Sequence, residues 1–304
     1  MTPATSISGS PSFRANRFCL RRAFSLIEVL VAVTLMSVIV IGLLAMFSQT
    51  QRAFRTGITQ VDIMEGGRAA CELMARELEQ TTATGLPNTL NFFAQWNGYS
   101  LIQSLPGTNG LGNLQWRTNI LDDVFFFTRE NRNWQGVGYR VESPDLVGTL
   151  YRYESNVVNL DLDFVTQADA VTSPVKFRDR VYSTRRSRII DGVVHLRLLA
   201  YDANGQLIVN NYGSAIGVTN HIPPSSPDWT PELSYEYHFR SNAVPAYLDL
   251  ELGILEAKTA ERCRNLPLAL QAEFLTSTSK TKVGNVQVFR QRITVRNVDP
   301  SVFQ

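Results

Sequence analysis

The side chains able to do chemistry are few and scattered. His195, His221 and His238 stand alone in the sequence. His195 falls in Val193-Val194-His195-Leu196-Arg197-Leu198, where two-residue alternation puts it on the face of Arg197, so a solvated strand histidine is expected. His221 lies in a proline-rich stretch and His238 between Tyr237 and Phe239, and both read as structural. The common phosphate-loop, dinucleotide, esterase and zincin signatures are missing. Asp202-Ala203-Asn204-Gly205 has only part of a calcium loop and reads as a hairpin turn, because Asn-Gly takes positive φ readily. Asp161-Leu162-Asp163 fits acids on the wet face of a strand better than a calcium site. No catalytic residue, metal site or cofactor is expected.

Three further groups remain. Cys71 and Cys263 could form a disulfide in an oxidising compartment or serve as unpaired small hydrophobes. Arg178, Arg180, Arg185, Arg186 and Arg188 form a dense basic run, read as a solvated loop or as a contact for an acidic partner. Glu28 is the third. It stands at the head of Val29–Phe47, 19 residues without a charge and with only Thr34 and Ser37 as polar side chains. That run meets the roughly 20-residue requirement for a membrane-spanning helix. A carboxylate there is unfavourable unless a cation compensates it.

Around Glu28 the order is basic residues (Arg21, Arg22), a small residue (Ala23), then Phe24-Ser25-Leu26-Ile27-Glu28-Val29 and the apolar run. This pattern resembles the prepilin-type cleavage and methylation motif of type IV pilins and type II secretion pseudopilins. The resemblance implies cleavage between Ala23 and Phe24 by a membrane prepilin peptidase and methylation of the new Phe24 amine. Ala23 replaces the family's usual glycine. It also implies that Glu28 meets the Phe24 ammonium of a neighbouring subunit and sets the stagger of a filament. The leader, residues 1–23, holds four arginines and no acid. By the positive-inside rule the N-terminus is therefore cytoplasmic and the bulk of the chain outside, in the inner membrane of a cell with a periplasm.

Past the bilayer Phe54, Ile58, Val61, Met64, Cys71, Met74 and Leu78 form an apolar stripe at helical spacing, and no proline interrupts residues 24–80. A continuous helix is predicted, bent near Gly57 and Gly66-Gly67 and stopped by Gly85-Leu86-Pro87. Alternation then replaces the helical period. Strands are predicted at 122–128, 136–142, 148–153, 189–201, 233–240, 246–255 and 286–297, long loops at 88–120 and 211–231, and a short helix at 256–265. The fold class is α+β: a long N-terminal helix packed on an antiparallel sheet, type IV pilin-like. The segments are leader 1–23, transmembrane and polymerisation helix 24–47, amphipathic extension 48–84 and β-rich domain 85–304.

The strand order is similar to that of the minor pseudopilin J family of type II secretion, with matches at Asp123–Phe126, Tyr139–Val141, Leu150–Arg152, Gly192–Gly205 and Pro245–Leu252. Proteins of the prepilin-like cassettes of Verrucomicrobia-type bacteria fit equally well. The resemblance implies a non-enzymatic assembly subunit whose partners are a prepilin peptidase, other pseudopilins in a hetero-oligomeric filament, the membrane and a secreted cargo. The 304 residues carry a net charge of +2, and removing the four leader arginines leaves the rest at −2, which excludes a strongly basic nucleic-acid binder. Two rival readings stay open: a membrane-anchored β-domain that binds or hydrolyses a ligand, and a DNA-uptake minor pilin with the arginine run lining a groove.

Overall fold

The computed structural model describes residues 25–87, 89–108, 114–131, 133–142, 147–158, 185–221, 234–276 and 286–303. The chain divides after Arg55 into two compact units. Helix α1 (Leu26–Leu78) contributes to both. In the first unit it is the only described element, and its apolar side chains from Leu26 to Phe47 are exposed.

The second unit, Thr56–Gln304, is built on an antiparallel sheet. Its strands are β1 (Leu90–Thr108), β2 (Leu114–Glu130), β3 (Asn133–Glu142), β4 (Gly148–Val158), β5 (Arg185–Tyr201), β6 (Ile216–His221), β7 (Ser234–Arg240), β8 (Tyr247–Leu255) and β9 (Val286–Thr294). Their spatial order is β6-β7-β1-β2-β3-β4-β5-β8-β9. One parallel pairing, Leu121 with Leu196, also draws β2 against β5. Helices α2 (Ala257–Arg264) and α3 (Leu268–Thr276) follow β8, and a 3-10 turn spans Pro300–Phe303. The α+β class predicted from the sequence is the one observed.

Alternation explains the strands. In β8, Leu248, Leu250 and Leu252 are fully buried while Tyr247, Asp249 and Glu251 face outward. The buried leucines join Leu196 and Leu198 of β5, Phe92, Val124, Phe126 and Tyr139 in the principal core. Helix α1 covers this core with Ala70, Cys71, Met74, Ala75 and Leu78, whose spacing of 1, 3, 1 and 3 makes a single stripe. The expected stripe was longer: Phe54, Ile58, Val61 and Met64 continue it in sequence but are exposed. The helix stops at Leu78 rather than near residue 84, because the Thr82 N–H turns to the Phe127 carbonyl of β2 (2.8 Å).

Two segments read as loops are strands. Residues 88–120 contain β1 and the first part of β2, paired through Phe92 with Phe126, Phe93 with Phe125 and Gln103 with Arg117. Asn97, Gly98, Pro106 and Gly107 are poor strand residues, and the pairing shifts register at those places, between Trp96 and Ser100 and between Leu105 and Thr108. Within 211–231, residues Ile216–His221 form β6. The α3 helix was not foreseen, while α2 falls inside the predicted 256–265.

Gly67 packs closely against β9. A Cβ built there would lie 2.1 Å from Cε2 of Phe289 on β9, so the absent side chain is the space the ring fills.

Candidate functional site

Ala23 and Phe24, with the leader arginines, lie outside the described residues, so the membrane end of the site begins at Ser25. The Ser25 N–H donates to Oε2 of Glu28 (3.0 Å) and the Glu28 N–H donates to Oγ of Ser25 (3.2 Å). This reciprocal pair is a capping box that satisfies two amides at the start of α1. Its sequence signal is Ser25-x-x-Glu28 directly before the apolar run. The cap uses Oε2 of Glu28.

The rest of this segment suits apolar surroundings on every side. None of its most apolar window is buried. The hydroxyl of Thr34 donates to the Val31 carbonyl and that of Ser37 to the Val33 carbonyl, each at 2.8 Å, so both polar side chains are satisfied within the helix. By length and composition α1 can cross a membrane.

In the second unit the predicted residues do not converge. Arg178 and Arg180 lie outside the described residues. Arg185, Arg186 and Arg188 belong to strand β5 and not to a loop. Arg186 reaches Oε2 of Glu142 (3.0 Å) and lies over the Tyr151 ring, and Arg188 pairs with Asp191. Nearby acids therefore hold both of these guanidinium groups. Cys71 and Cys263 are not joined: one is buried in the principal core, the other among Val147, Val194, Leu255, Ala260 and Leu275. Burial pushes the Cys71 thiol up to about 11, which removes thiolate reactivity at neutral pH.

His195 corrects the sequence reading most clearly, because it is 2% exposed. Its Nδ1 accepts the Ile120 N–H (3.0 Å) and its Nε2 lies 3.3 Å from Oε2 of Glu251, which Arg290 also holds at 2.8 Å. An amide donating to Nδ1 fixes the proton on Nε2. Burial lowers the pKa of the ring, against the upward pull of Glu251. The neutral imidazole thus has no lone pair left for a substrate and acts as a tie between β2, β5 and β8. Alternation around His195 is interrupted by a register shift between Val193 and His195, which is why pattern alone misplaced it.

Two polar features had not been singled out. Asp122 is fully buried, with Oδ2 accepting the Leu198 N–H (3.0 Å), and burial raises its pKa to about 7. Glu77, in the last turn of α1, accepts from Nε and Nη2 of Arg152 (2.8 Å each) and from the Tyr139 hydroxyl (2.5 Å). The Asp202 turn is as expected: Oδ1 accepts the amides of Asn204 (2.9 Å) and Gln206 (2.7 Å), and Gly205 has φ +77°. His221 ends β6 instead of lying in a loop. Asp161 and Asp163 fall outside the described residues. Among the described residues no three metal-binding side chains gather.

Residues 20–44 match the family model of the prokaryotic N-terminal methylation motif. No curated protein and no solved structure matches the chain. The motif implies processing by a prepilin peptidase and assembly with other pilin-like subunits, and the apolar helix beside it suggests membrane anchoring. Residues 20–44 thus carry the prepilin-type signature and support a subunit of the type IV pilin or pseudopilin type.

Proposed function

We propose that the chain is a minor pseudopilin-like structural subunit, without enzymatic activity, of a type II secretion or type IV pilus-like envelope assembly. The leader 1–23 stays in the cytoplasm, residues 24–47 cross the inner membrane, and the β-rich domain stands in the periplasm. Prepilin peptidase cuts between Ala23 and Phe24 and methylates the Phe24 amine. The subunit then joins other pseudopilins through its apolar helix and presents its β-domain to partner subunits or to secreted cargo.

The observation carrying this reading is the coincidence, within residues 20–44, of the methylation motif with a helix exposed along its whole apolar run and headed by one carboxylate. A secretory signal needs no carboxylate, and a plain anchor gains nothing from one. The acid partners of Arg186 and Arg188 weigh against the DNA-uptake reading, since paired guanidinium groups attract phosphate less. Mass spectrometry of the mature N-terminus tests the proposal. N-methyl-Phe24 is expected, and an intact Met1 or Thr2 in membranes with an active prepilin peptidase refutes it.

A further inference from the structure

We infer that the β6–β7 end of the sheet carries a binding site for a small oxyanion, a carboxylate or phosphate group, seated over Gly217 between the His238 imidazole and the Arg240 guanidinium. The site is independent of the N-terminal motif. In the β6–β7 ladder Gly217 faces His238, and the two-residue period places Gly217 and Thr219 on the same face as His238 and Arg240. Gly217 contributes no side chain, and a cavity of about 230 Å³ opens there, lined among others by Asn211, Ser214 and Thr219. At roughly 30 Å³ per water the cavity holds a small oxyanion with part of its hydration.

Among the described residues the lining supplies donors and no carboxylate; Glu236 shares this face of β7 but is not among the lining residues. Arg240 is half-buried and has no acid partner among the described residues, whereas Arg152, Arg186, Arg188, Arg290, Arg292 and Arg296 each have one. Nε2 of His238 is buried and makes no hydrogen bond, while the ring is stacked on Phe93 with centroids 6.4 Å apart and so is held in place. Oδ1 of Asn211 accepts the Val218 N–H (2.6 Å), which leaves its amide group to donate. Hydroxyls of Ser214 and Thr219 complete the set. An unneutralised guanidinium and three neutral polar side chains around a hollow favour a compact anion and repel a cation, with the His238 ring beside them as its reporter. Burial and the Arg240 charge lower the His238 pKa, so an arriving anion raises it and the ring takes up a proton.

The test uses the full chain in detergent micelles with ¹⁵N-labelled histidine. His238 ring signals are followed while inorganic phosphate, acetate or N-acetyl-aspartate amide is added, with chloride as the ionic-strength control. A saturable shift, with the His238 pKa rising, is expected for at least one oxyanion. Arg240→Gln should weaken it tenfold or more. Gly217→Val should abolish it without disturbing the strand, since a Cβ at Gly217 meets only His238, at 3.8 Å. Saturation by phosphate alone identifies a free ion, and saturation by the two carboxylates identifies an acidic side chain of a partner. A response that tracks ionic strength alone, or that is unchanged in Arg240→Gln, overturns the inference.

Discussion

Removing the Glu77 carboxylate should loosen the end of α1 from the sheet. The Glu77 and Arg152 side chains are only 19% and 15% exposed, and Arg152 also meets Glu154 at 2.5 Å. Breaking a fully buried pair costs about 3–5 kcal/mol, because the surviving charge stays buried. Here Glu154 still holds Arg152, and water reaches part of both groups, so Glu77→Ala should cost about 2–4 kcal/mol. Against it stands a few tenths from the better helix propensity of alanine. In a domain of this size each kcal/mol moves the melting temperature by roughly 2–4 °C, so a fall of roughly 5–15 °C is expected. Thermal unfolding followed by tryptophan fluorescence reads it. Tyr139→Phe should cost about 1–2 kcal/mol, as one hydrogen bond to a charged acceptor. In a Glu77→Ala, Arg152→Met double-mutant cycle the coupling should exceed about 1 kcal/mol. Single effects below that value, with no coupling, would show that solvent screening dominates and that the clamp contributes nothing.

Gly67→Ala should destabilise by about 1–2 kcal/mol in denaturant titration despite alanine's better propensity, because the new methyl displaces the Phe289 ring, and Phe289→Leu should recover part of the loss. Asp122 keeps a proton in the folded chain that the unfolded chain releases, so its stabilisation is complete below about pH 4 and lost as pH rises toward 7. Asp122→Asn should therefore gain roughly 2–4 kcal/mol at pH 8 and little at pH 4, which denaturant midpoints at the two pH values check. His195 has the opposite sign: its lowered pKa means stability is intact above about pH 6.5 and lost as pH falls, a slope His195→Gln should remove. Glu28→Gln keeps the acceptor for the Ser25 N–H but loses the charge, and Glu28→Leu loses both, so crosslinking to partner subunits should fall equally in the two variants. Wild-type crosslinking by Glu28→Gln would make the cap, and not the charge, the reason for this residue.

Local periodicity made some elements legible and not others. The β8 alternation of Leu248, Leu250 and Leu252 with charged residues is a property of nine consecutive positions, and it survives because β9 and β5 pair in regular register along those leucines. The β1 strand is different. Its 19 residues hold together through partners in β2 and β7 that lie far away in the chain, such as Phe126 and Phe239 against Phe92, and its two irregularities absorb two glycines and a proline. Helix α1 shows both cases at once. Its stripe from Phe54 to Leu78 is periodic throughout, yet the stripe residues through Met64 are exposed and those from Cys71 on are buried or partly so, because coverage depends on where the sheet lies and not on the helix's own pattern.

The same limit governs charge. The basic run at Arg178–Arg188 reads as a solvated loop or a contact for an acidic partner, and of the two acids its described arginines meet, Asp191 is three residues from Arg188 while Glu142 is distant in sequence. The sheet brings Glu142 of β3 to Arg186 of β5 across β4, and at the β9 edge it brings Asp249 to Arg292 and Glu251 to Arg290. Exposed pairs of this kind contribute little stability, about 0–1 kcal/mol each, but they cancel the field that would steer a charged partner. Beside exposed cations such as Arg68, Arg76 and Arg262, a partner meets the exposed row Phe54, Ile58, Val61 and Met64 on α1 and the half-buried cation of Arg240. The first offers non-directional apolar burial that suits a helix of another subunit, and the second offers a directional contact for one acid. Selectivity among partners then rests on few groups, and single substitutions at them should alter assembly without altering the fold.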